Sequence, residues 1–389
     1  MLRTVAIANY RSLRDVVLPL TGLDIVTGAN GTGKSSLYRA LRLLADCARG
    51  DVIASLAREG GMPSVTWAGP EKISREMRSG EHRVEGTRRT EPVNVRMGFA
   101  GDDFGYLIDL GLPRPISKTN PSFFQLDPEI KREAIWSGPV LRPGTWLADR
   151  RNELVRVRSG SGEWDHLAQG LRTFESMLSE VTDPVRAPEL LTVREQVRSW
   201  RFYDHFRTDA GAPARQPRLG TRTTVLADDG ADLAAALQTI REVGAVEALD
   251  EAVARAFPGS RLEITQVGGR LDLSFRQHGL LRPLSGAELS DGTLRFLLWA
   301  AALLTPRPPA LMVLNEPETS LHPQLVPALA ELVVKAHEST QIVVVTHSRA
   351  LIDHIGAAAA RVELVKDVGE TRIEGQGRFE RPSWNWGLR

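Results

Sequence analysis

The residues with the clearest chemical potential form a glycine-rich segment near the N-terminus, Gly28-Ala-Asn-Gly-Thr-Gly-Lys-Ser35. It fits the pattern G-x-x-x-x-G-K-[ST], in which glycines let backbone N–H groups turn inward around phosphate oxygens. The apolar run Leu23–Thr27 precedes it and a helical pattern begins near Lys34, which is the context such a loop requires. We predict that Lys34 reaches the terminal phosphates of a nucleotide and that the Ser35 hydroxyl binds Mg²⁺. The predicted nucleotide contacts of this phosphate-binding loop are Gly28, Asn30, Gly31, Gly33, Lys34, Ser35 and Ser36.

A second chemical motif follows the apolar run Ala310–Leu314, where Asn315 and Glu316 end a predicted buried strand. Open α/β sheets bind ligands at the carboxyl ends of their strands, so a ligand is expected here. Glu316 is the candidate to orient or deprotonate an attacking water. Asn315 occupies the position at which an aspartate normally supports the coordination shell of the bound Mg²⁺. Its amide offers an acceptor oxygen without a charge. We therefore predict Ser35 and Asn315 as metal ligands, with weak metal binding and slow turnover.

The segment Leu289-Ser-Asp-Gly-Thr293, called the signature segment below, opens a predicted helix. Ser290 or Asp291 suits a helix N-cap, and taken alone the segment is a cap after a glycine turn. Its position shortly before the strand that carries Glu316 favours a functional role instead. Ser290 and Gly292 are the candidate functional residues in it.

Two histidines lie close to predicted strand ends. His347, in Val345-Thr-His-Ser348, follows the apolar strand Ile342–Val345. A lone histidine at a strand end is usually structural, but the order of the motifs along this chain favours a catalytic role. His322, in Ser320-Leu-His-Pro323, is predicted to have a structural or interface role.

The elements that must position these residues alternate between strands and helices. Short apolar runs at Leu23–Thr27, Ala310–Leu314 and Ile342–Val345 are typical of buried parallel strands, and amphipathic or apolar helices separate them. The middle of the chain predicts hairpins at residues 93–110 and 261–275. Leu167–Phe206 and Asp232–Phe257 are predicted to be mostly helical. The segment Arg150–Arg158 alternates basic and apolar residues and predicts an edge strand with a solvated face.

These motifs together resemble the stand-alone bacterial ATPases of the SMC/RecF/OLD-like branch of the ABC superfamily. The resemblance rests on Ile7-Ala-Asn-Tyr-Arg-Ser-Leu13, the phosphate-binding loop, the signature segment, Asn315-Glu-Pro-Glu-Thr-Ser-Leu-His-Pro323 and Thr346-His-Ser348. It implies an α/β P-loop NTPase head with a mixed sheet core, an antiparallel β lobe and a helical signature lobe. The implied division is one two-lobed head over residues 1–389. Its nucleotide-binding core would comprise 1–135 and 260–389, with a mostly helical insertion at 136–259.

The same resemblance implies ATP and Mg²⁺ as cofactors and a homodimer that sandwiches the nucleotide. Ser290 and Gly292 of one subunit would then meet the γ-phosphate bound by another, and His347 would sense that phosphate. Arg11 is implied as a further nucleotide contact. The chain departs from the family pattern at Asn315, which puts efficient hydrolysis in doubt more than ATP binding.

Composition narrows the function classes. A net charge of +1 over 389 residues argues against a surface that is basic throughout, although it permits a local DNA-binding patch. The single cysteine, Cys47, cannot form an internal disulfide and is predicted to be buried. No apolar run is long enough to span a membrane, so a cytoplasmic protein is expected. Trp200–Phe206 could stack on nucleic acid, but its aromatic residues at helical spacing favour packing.

Two functional hypotheses remain open at the level of sequence. The leading one is an ATP-dependent dimerisation switch that hydrolyses ATP slowly, favoured by Glu316. The other is a DNA clamp or scaffold that holds ATP as a structural ligand, favoured by Asn315. A P-loop kinase or GTPase would not explain the signature segment or His347. The sequence does not choose between DNA repair, phage defence and a toxin-like system, or identify a protein or DNA partner.

Overall fold

The computed structural model describes residues 1–79, 81–84, 93–113, 123–377 and 379–387. The chain divides into two compact units, the first Met1–Thr21, Val26–Trp200 and Val362–Arg389, the second Gly22–Ile25 and Arg201–Arg361. The strands are β1 (Leu2–Tyr10), β2 (Leu13–Pro19), β3 (Leu23–Gly28), β4 (Val95–Gly101), β5 (Phe104–Gly111), β6 (Glu129–Ser137), β7 (Trp146–Arg151), β8 (Leu154–Arg158), β9 (Trp164–Gln169), β10 (Arg201–Tyr203), β11 (Arg218–Leu219), β12 (Arg261–Val267), β13 (Arg270–Arg276), β14 (Leu284–Ser285), β15 (Leu311–Asn315), β16 (Gln341–Val345), β17 (Ala360–Asp367) and β18 (Glu370–Ile373). The α-helices are α1 (Lys34–Arg49), α2 (Val52–Arg58), α3 (Met62–Val65), α4 (Arg75–Ser79), α5 (Met177–Glu180), α6 (Pro188–Ser199), α7 (Leu233–Val243), α8 (Val246–Ala256), α9 (Asp291–Leu303), α10 (Val326–His337) and α11 (Arg349–Ile355).

The first unit is built on an eight-stranded sheet in the order β2-β1-β4-β5-β6-β7-β8-β9, with antiparallel neighbours throughout. Helix α1 packs against β1 and β4 and against helices α2, α5 and α6. Its apolar stripe, Leu37, Leu41 and Leu44, is fully buried because these residues recur on one helical face. Cys47 follows the same face and is also buried, as predicted.

A fully buried ion pair lies inside this sheet. Arg150 donates to Glu133 on the adjacent strand β6 at 2.7 Å, and neither side chain is exposed to solvent. The predicted edge strand over Arg150–Arg158 is therefore wrong, since β7 and β8 both have neighbours on two sides. The alternation of basic and apolar residues predicted a solvent-exposed face, because the sequence alone does not show that the Glu133 carboxylate lies on the adjacent strand.

The second unit carries parallel strands. β10, β15 and β16 run in parallel, and Gly22, just before the start of β3, accepts a hydrogen bond from the Ile342 backbone at 2.8 Å. Helices α7 to α11 pack on one another around an apolar core. Most of the residues of α9 belong to this core. A small antiparallel sheet, β11-β13-β12 with β14 on β13, completes this unit.

The predicted α/β class with parallel and antiparallel pairing and an antiparallel lobe is confirmed, as are the hairpins β4–β5 and β12–β13. Leu167–Phe206 is not mostly helical, because β9 ends in it and β10 occupies Arg201–Tyr203. The segment 136–259 likewise holds strands β7 to β9 beside its helices. The assignment of residues 136–259 as a separate lobe stays a prediction.

Candidate nucleotide site and signature helix

The phosphate-binding loop joins the end of β3 to the start of α1 in the first unit. Gly28, Gly31 and Gly33 have φ angles of +147°, +80° and +111°, which side chains with a Cβ rarely adopt. A Cβ on Gly28 would overlap the Leu364 carbonyl oxygen, and one on Gly33 would overlap the Thr371 hydroxyl. The loop therefore needs these glycines for its own backbone, independently of any ligand.

Lys34 places a buried cation inside this loop. Its side chain is 6% exposed, and Nζ donates to the carbonyls of Gly28 at 2.6 Å and Ala29 at 3.1 Å. Among the described residues, no carboxylate pairs with it. No side chain caps the first turn of α1, and Ser35 is exposed there. A buried ammonium and an uncapped helix N-terminus fit nucleotide phosphates, with Ser35 free to reach a bound Mg²⁺.

The loop is held from behind by residues that the sequence motifs did not reveal. The Thr371 hydroxyl bonds to the Thr32 carbonyl at 2.6 Å and to the Ser12 hydroxyl at 2.8 Å. Lys366 donates to the Gly31 carbonyl at 2.9 Å. These contacts come from the β17–β18 hairpin, more than 330 residues along the chain. No local sequence signal could have predicted them.

Arg11, predicted as a nucleotide contact, has a carboxylate partner in this structure. Its guanidinium lies 2.8 Å from Glu59, which also accepts a 2.6 Å hydrogen bond from Tyr10. Burial and the Glu59 carboxylate raise the pKa of the Tyr10 phenol, so it stays a donor. A nucleotide contact by Arg11 stays a prediction, and it would have to compete with Glu59.

In the second unit, Glu316 and His347 come together at the ends of β15 and β16. Glu316 has a φ of +48°, and its backbone N–H donates to the Val345 carbonyl at 2.7 Å. This left-handed turn brings its carboxylate to 3.2 Å from Nδ1 of His347. A non-glycine residue in this region is strained and is typical of functional sites. Both side chains are partly exposed, so a reacting molecule could approach them.

Asn315 has a partner that the sequence did not suggest. Its amide nitrogen donates to the Asp204 carboxylate at 2.7 Å. Asp204 follows β10, which pairs in parallel with β15 so that Tyr203 lies opposite Leu314. Trp200, Phe202, Tyr203 and Phe206 are buried, so the packing role predicted for this segment is confirmed and its helical spacing is wrong.

A further carboxylate braces the loop that carries His347. Glu318 accepts a hydrogen bond from the Thr346 hydroxyl, which in turn accepts from the Ser348 backbone at 3.0 Å. Glu318 Oε2 is buried without a protein partner within the described residues. Its second oxygen thus keeps an unused acceptor position inside the protein.

The signature segment runs into the first turn of α9. Ser290 is the N-cap, and its hydroxyl accepts from the Thr293 backbone at 3.2 Å while remaining exposed. A Cβ on Gly292 would meet nothing within 4 Å. The fold itself therefore does not require a glycine there, unlike at Gly28 and Gly33.

Arg215 holds the backbone of the signature segment. It is 7% exposed and donates to the Leu289 carbonyl at 2.6 Å, to Asp291 Oδ1 at 2.6 Å and, more weakly, to the Gly286 and Ala287 carbonyls. On the exposed side of the segment, hydrogen bonds from Arg282 and Ser285 lower the pKa of Glu288 to about 2. No sequence pattern singles out Arg215, since it lies in a proline- and arginine-rich loop.

Arg295 connects α9 to the turn after Glu316. It donates to the Thr319 carbonyl at 2.7 Å, the Phe206 carbonyl at 3.2 Å and the Thr208 hydroxyl at 3.1 Å. Burial lowers the pKa of Arg295 below that of a free arginine. Arg295 thus joins α9 both to the segment after β10 and to the turn after Glu316.

The family described as "AAA domain, putative AbiEii toxin, Type IV TA system" matches residues 25–353, most of the chain. The chain belongs to this family of AAA domains. No protein with a curated description matches this chain significantly.

Among the solved structures that share its fold are two SMC heads. One is an SMC head bound to the C-winged helix domain of ScpA, 13% identical, with a TM-score of 0.51 over 96% of this chain and 97% of that one. The other is an SMC head domain with an extended coiled coil, bound to the C-terminal domain of ScpA and derived from Pyrococcus furiosus. It is 12% identical, with a TM-score of 0.50 over 96% of this chain and 95% of that one. The head fold that the predicted resemblance implied is therefore confirmed.

The predicted site residues of this AAA domain are divided between the two units. Their roles toward a ligand stay predictions. The first unit holds Arg11, Gly28, Asn30, Gly31, Gly33, Lys34, Ser35 and Ser36, and the second holds Ser290, Gly292, Asn315, Glu316 and His347. Within the residues that the structure describes, no helix is long and apolar enough to cross a membrane.

Proposed function

We propose that this AAA domain is a slowly hydrolysing ATPase that acts as an ATP-dependent dimerisation switch. ATP and Mg²⁺ bind at the phosphate-binding loop through Lys34 and Ser35. The signature segment of a second copy closes over the γ-phosphate, and hydrolysis promoted by Glu316 reopens the dimer. The closed form is the one that a partner protein or DNA recognises.

The observation that carries the proposal is the Glu316–His347 pair at the ends of two neighbouring parallel strands. A carboxylate 3.2 Å from an imidazole can orient or deprotonate a water while the imidazole meets the terminal phosphate. The left-handed backbone of Glu316, at a φ of +48°, supports the same conclusion, since such strain in a non-glycine residue is concentrated at functional sites.

Closure by a second copy is supported by the N-terminal end of α9, where the signature segment lies. Ser290 is exposed at the N-terminus of α9, and the partial positive charge of a helix N-terminus suits an anionic phosphate. The empty space at Gly292 would let another molecule approach the helix end closely. Within its own chain, this glycine has no steric justification.

The test measures solution mass by light scattering on a sizing column. The variant Glu316→Gln keeps the size of the side chain and removes its basic carboxylate, so an ATP-bound dimer should accumulate. We expect dimer mass only with ATP and Mg²⁺, and monomer mass when Ser290→Arg is added. Ser161→Arg places the same charge on an exposed loop of the first unit and should leave the dimer intact.

Different failures have different meanings. If nucleotide binds but the solution mass is the same with and without ATP, the two-subunit mechanism is wrong. If no nucleotide binds even to the wild type, the ATPase proposal itself fails. If the wild type forms an ATP-dependent dimer without turnover, the second hypothesis holds, a clamp or scaffold with ATP as a structural ligand. Asn315, which brings no charge to the metal, is the residue that favours that alternative.

A further inference from the structure

The turn between β1 and β2 lies against the phosphate-binding loop of the same unit. It consists of Arg11 and Ser12, the two residues between the paired strands. The Ser12 hydroxyl lies 2.8 Å from the Thr371 hydroxyl, which bonds to the Thr32 carbonyl of the loop at 2.6 Å. It also lies 3.0 Å from the position that a Cβ on Gly33 would occupy. Arg11 is therefore next in the chain to a residue that touches the loop, and both belong to the first unit.

The backbone of this turn is fixed on both sides of Tyr10. Arg11 has a φ of +50°, a left-handed conformation that is strained for a residue with a long side chain. Its backbone N–H donates to the Val65 carbonyl at 2.6 Å. Asn9 has a φ of +62°, and its side-chain amide donates to the Asn94 carbonyl at 3.1 Å. Because backbone contacts hold the turn, the partner of the Arg11 side chain can change without moving it.

The Arg11 side chain has one ion-pair partner and one unused donor. Its guanidinium lies 2.8 Å from Glu59 Oε2, and the same oxygen accepts from the buried Tyr10 hydroxyl at 2.6 Å. Arg11 Nε is buried and makes no hydrogen bond to any residue that the structure describes. A buried donor without a partner is costly and calls for an explanation such as a ligand group. Glu59 thus neutralises Arg11 without satisfying its whole guanidinium.

We propose that Glu59 restrains nucleotide binding by holding Arg11, so that a nucleotide phosphate must take the guanidinium from this carboxylate. The inference rests on the proposed nucleotide site at the phosphate-binding loop. Arg11 is 30% exposed and Glu59 is 19% exposed, so their ion pair can open without unfolding the unit. A phosphate accepts two parallel hydrogen bonds from a guanidinium, which would also satisfy Nε. Glu59 acts through Arg11 and is a positioning residue that sets the affinity for nucleotide.

The experiment measures the equilibrium affinity for a fluorescent ATP analogue with Mg²⁺, in a background that carries Glu316→Gln and Ser290→Arg. In this background neither hydrolysis nor the proposed pairing of two copies contributes. Glu59→Gln keeps the size of the side chain and an acceptor oxygen for Tyr10, and it removes only the charge. We expect the dissociation constant to fall about fivefold, the difference between a charged and a neutral hydrogen bond to Arg11.

Arg11→Met decides whether the arginine carries the effect. Loss of a negative charge near a phosphate would tighten binding through space even without Arg11. If the two side chains act as one pair, Glu59→Gln should change the dissociation constant by less than about twofold once Arg11→Met is present. Glu129→Gln is the matched control, because it removes a partly exposed carboxylate of the same unit that pairs with Lys131. It should leave the affinity unchanged.

Three results overturn the proposal. One is a change of less than about twofold on Glu59→Gln, which would mean that Arg11 keeps this partner when nucleotide binds. Another is weaker binding, because Glu59 would then orient Arg11 toward phosphate instead of withholding it. The third is a gain that persists with Arg11→Met. Failure of the proposed nucleotide site gives a different result, because the wild type would bind no nucleotide, and both proposals would then fall together.

Discussion

Arg215 offers the sharpest test of how the signature segment is held. Replacing it by methionine keeps much of the volume and removes every donor. The bond to the Leu289 carbonyl is short and buried, and a charged donor in such a bond contributes about 1.5–3 kcal/mol. The ion pair with Asp291 counts for less, since the Asp291 side chain is 63% exposed and water screens it. We expect Arg215→Met to lower the free energy of unfolding of the second unit by about 2–4 kcal/mol.

The assay is urea denaturation followed by tryptophan fluorescence, for which Trp299 in α9 is a buried reporter. Asp291→Asn removes only the screened ion pair and should cost less than about 1 kcal/mol. Arg207→Met removes a 61% exposed arginine from the same segment and is the matched control, with almost no expected effect. At a temperature where the variant is folded, Arg215→Met should bind ATP normally but fail to dimerise.

Two results would refute this reasoning. If Arg215→Met costs less than about 1 kcal/mol, the buried bond to Leu289 is not the support that its geometry suggests. If Asp291→Asn costs as much as Arg215→Met, the ion pair carries the stabilisation and the screening argument is wrong.

Two further predictions concern glycines. Gly292→Glu should leave the free energy of unfolding within about 1 kcal/mol of the parent, because the position is open and a carboxylate suits a helix N-terminus. The added carboxylate should repel the phosphate and abolish the ATP-dependent dimer, as measured by light scattering. A normal dimer would contradict the proposed interface. Gly33→Ala should lower the free energy of unfolding by about 2–3 kcal/mol, since its Cβ would overlap the Thr371 hydroxyl at a φ of +111°. Gly31→Ala has open space but a φ of +80°, and it should cost about 1 kcal/mol in the same urea titration. Equal costs for the two variants would contradict the steric argument.

The sequence alone determined the features whose chemistry is local. A phosphate-binding loop is contiguous, so its glycine spacing, Lys34 and flanking elements are all visible in one stretch. Buried parallel strands are short apolar runs, and for that reason the ends that carry Glu316 and His347 could be located. The family resemblance rests on those same contiguous segments.

The tertiary structure decided the contacts that depend on pairing between distant segments. Asp204 meets Asn315 only because β10 adds to β15 in one register, and a three-residue strand beside a helix has too little pattern to be recognised. Arg150 is buried because Glu133 lies on the adjacent strand, although its own segment resembles a solvated edge. Side-chain type and spacing report what a residue can do, whereas strand register and long-range packing determine which partner it meets.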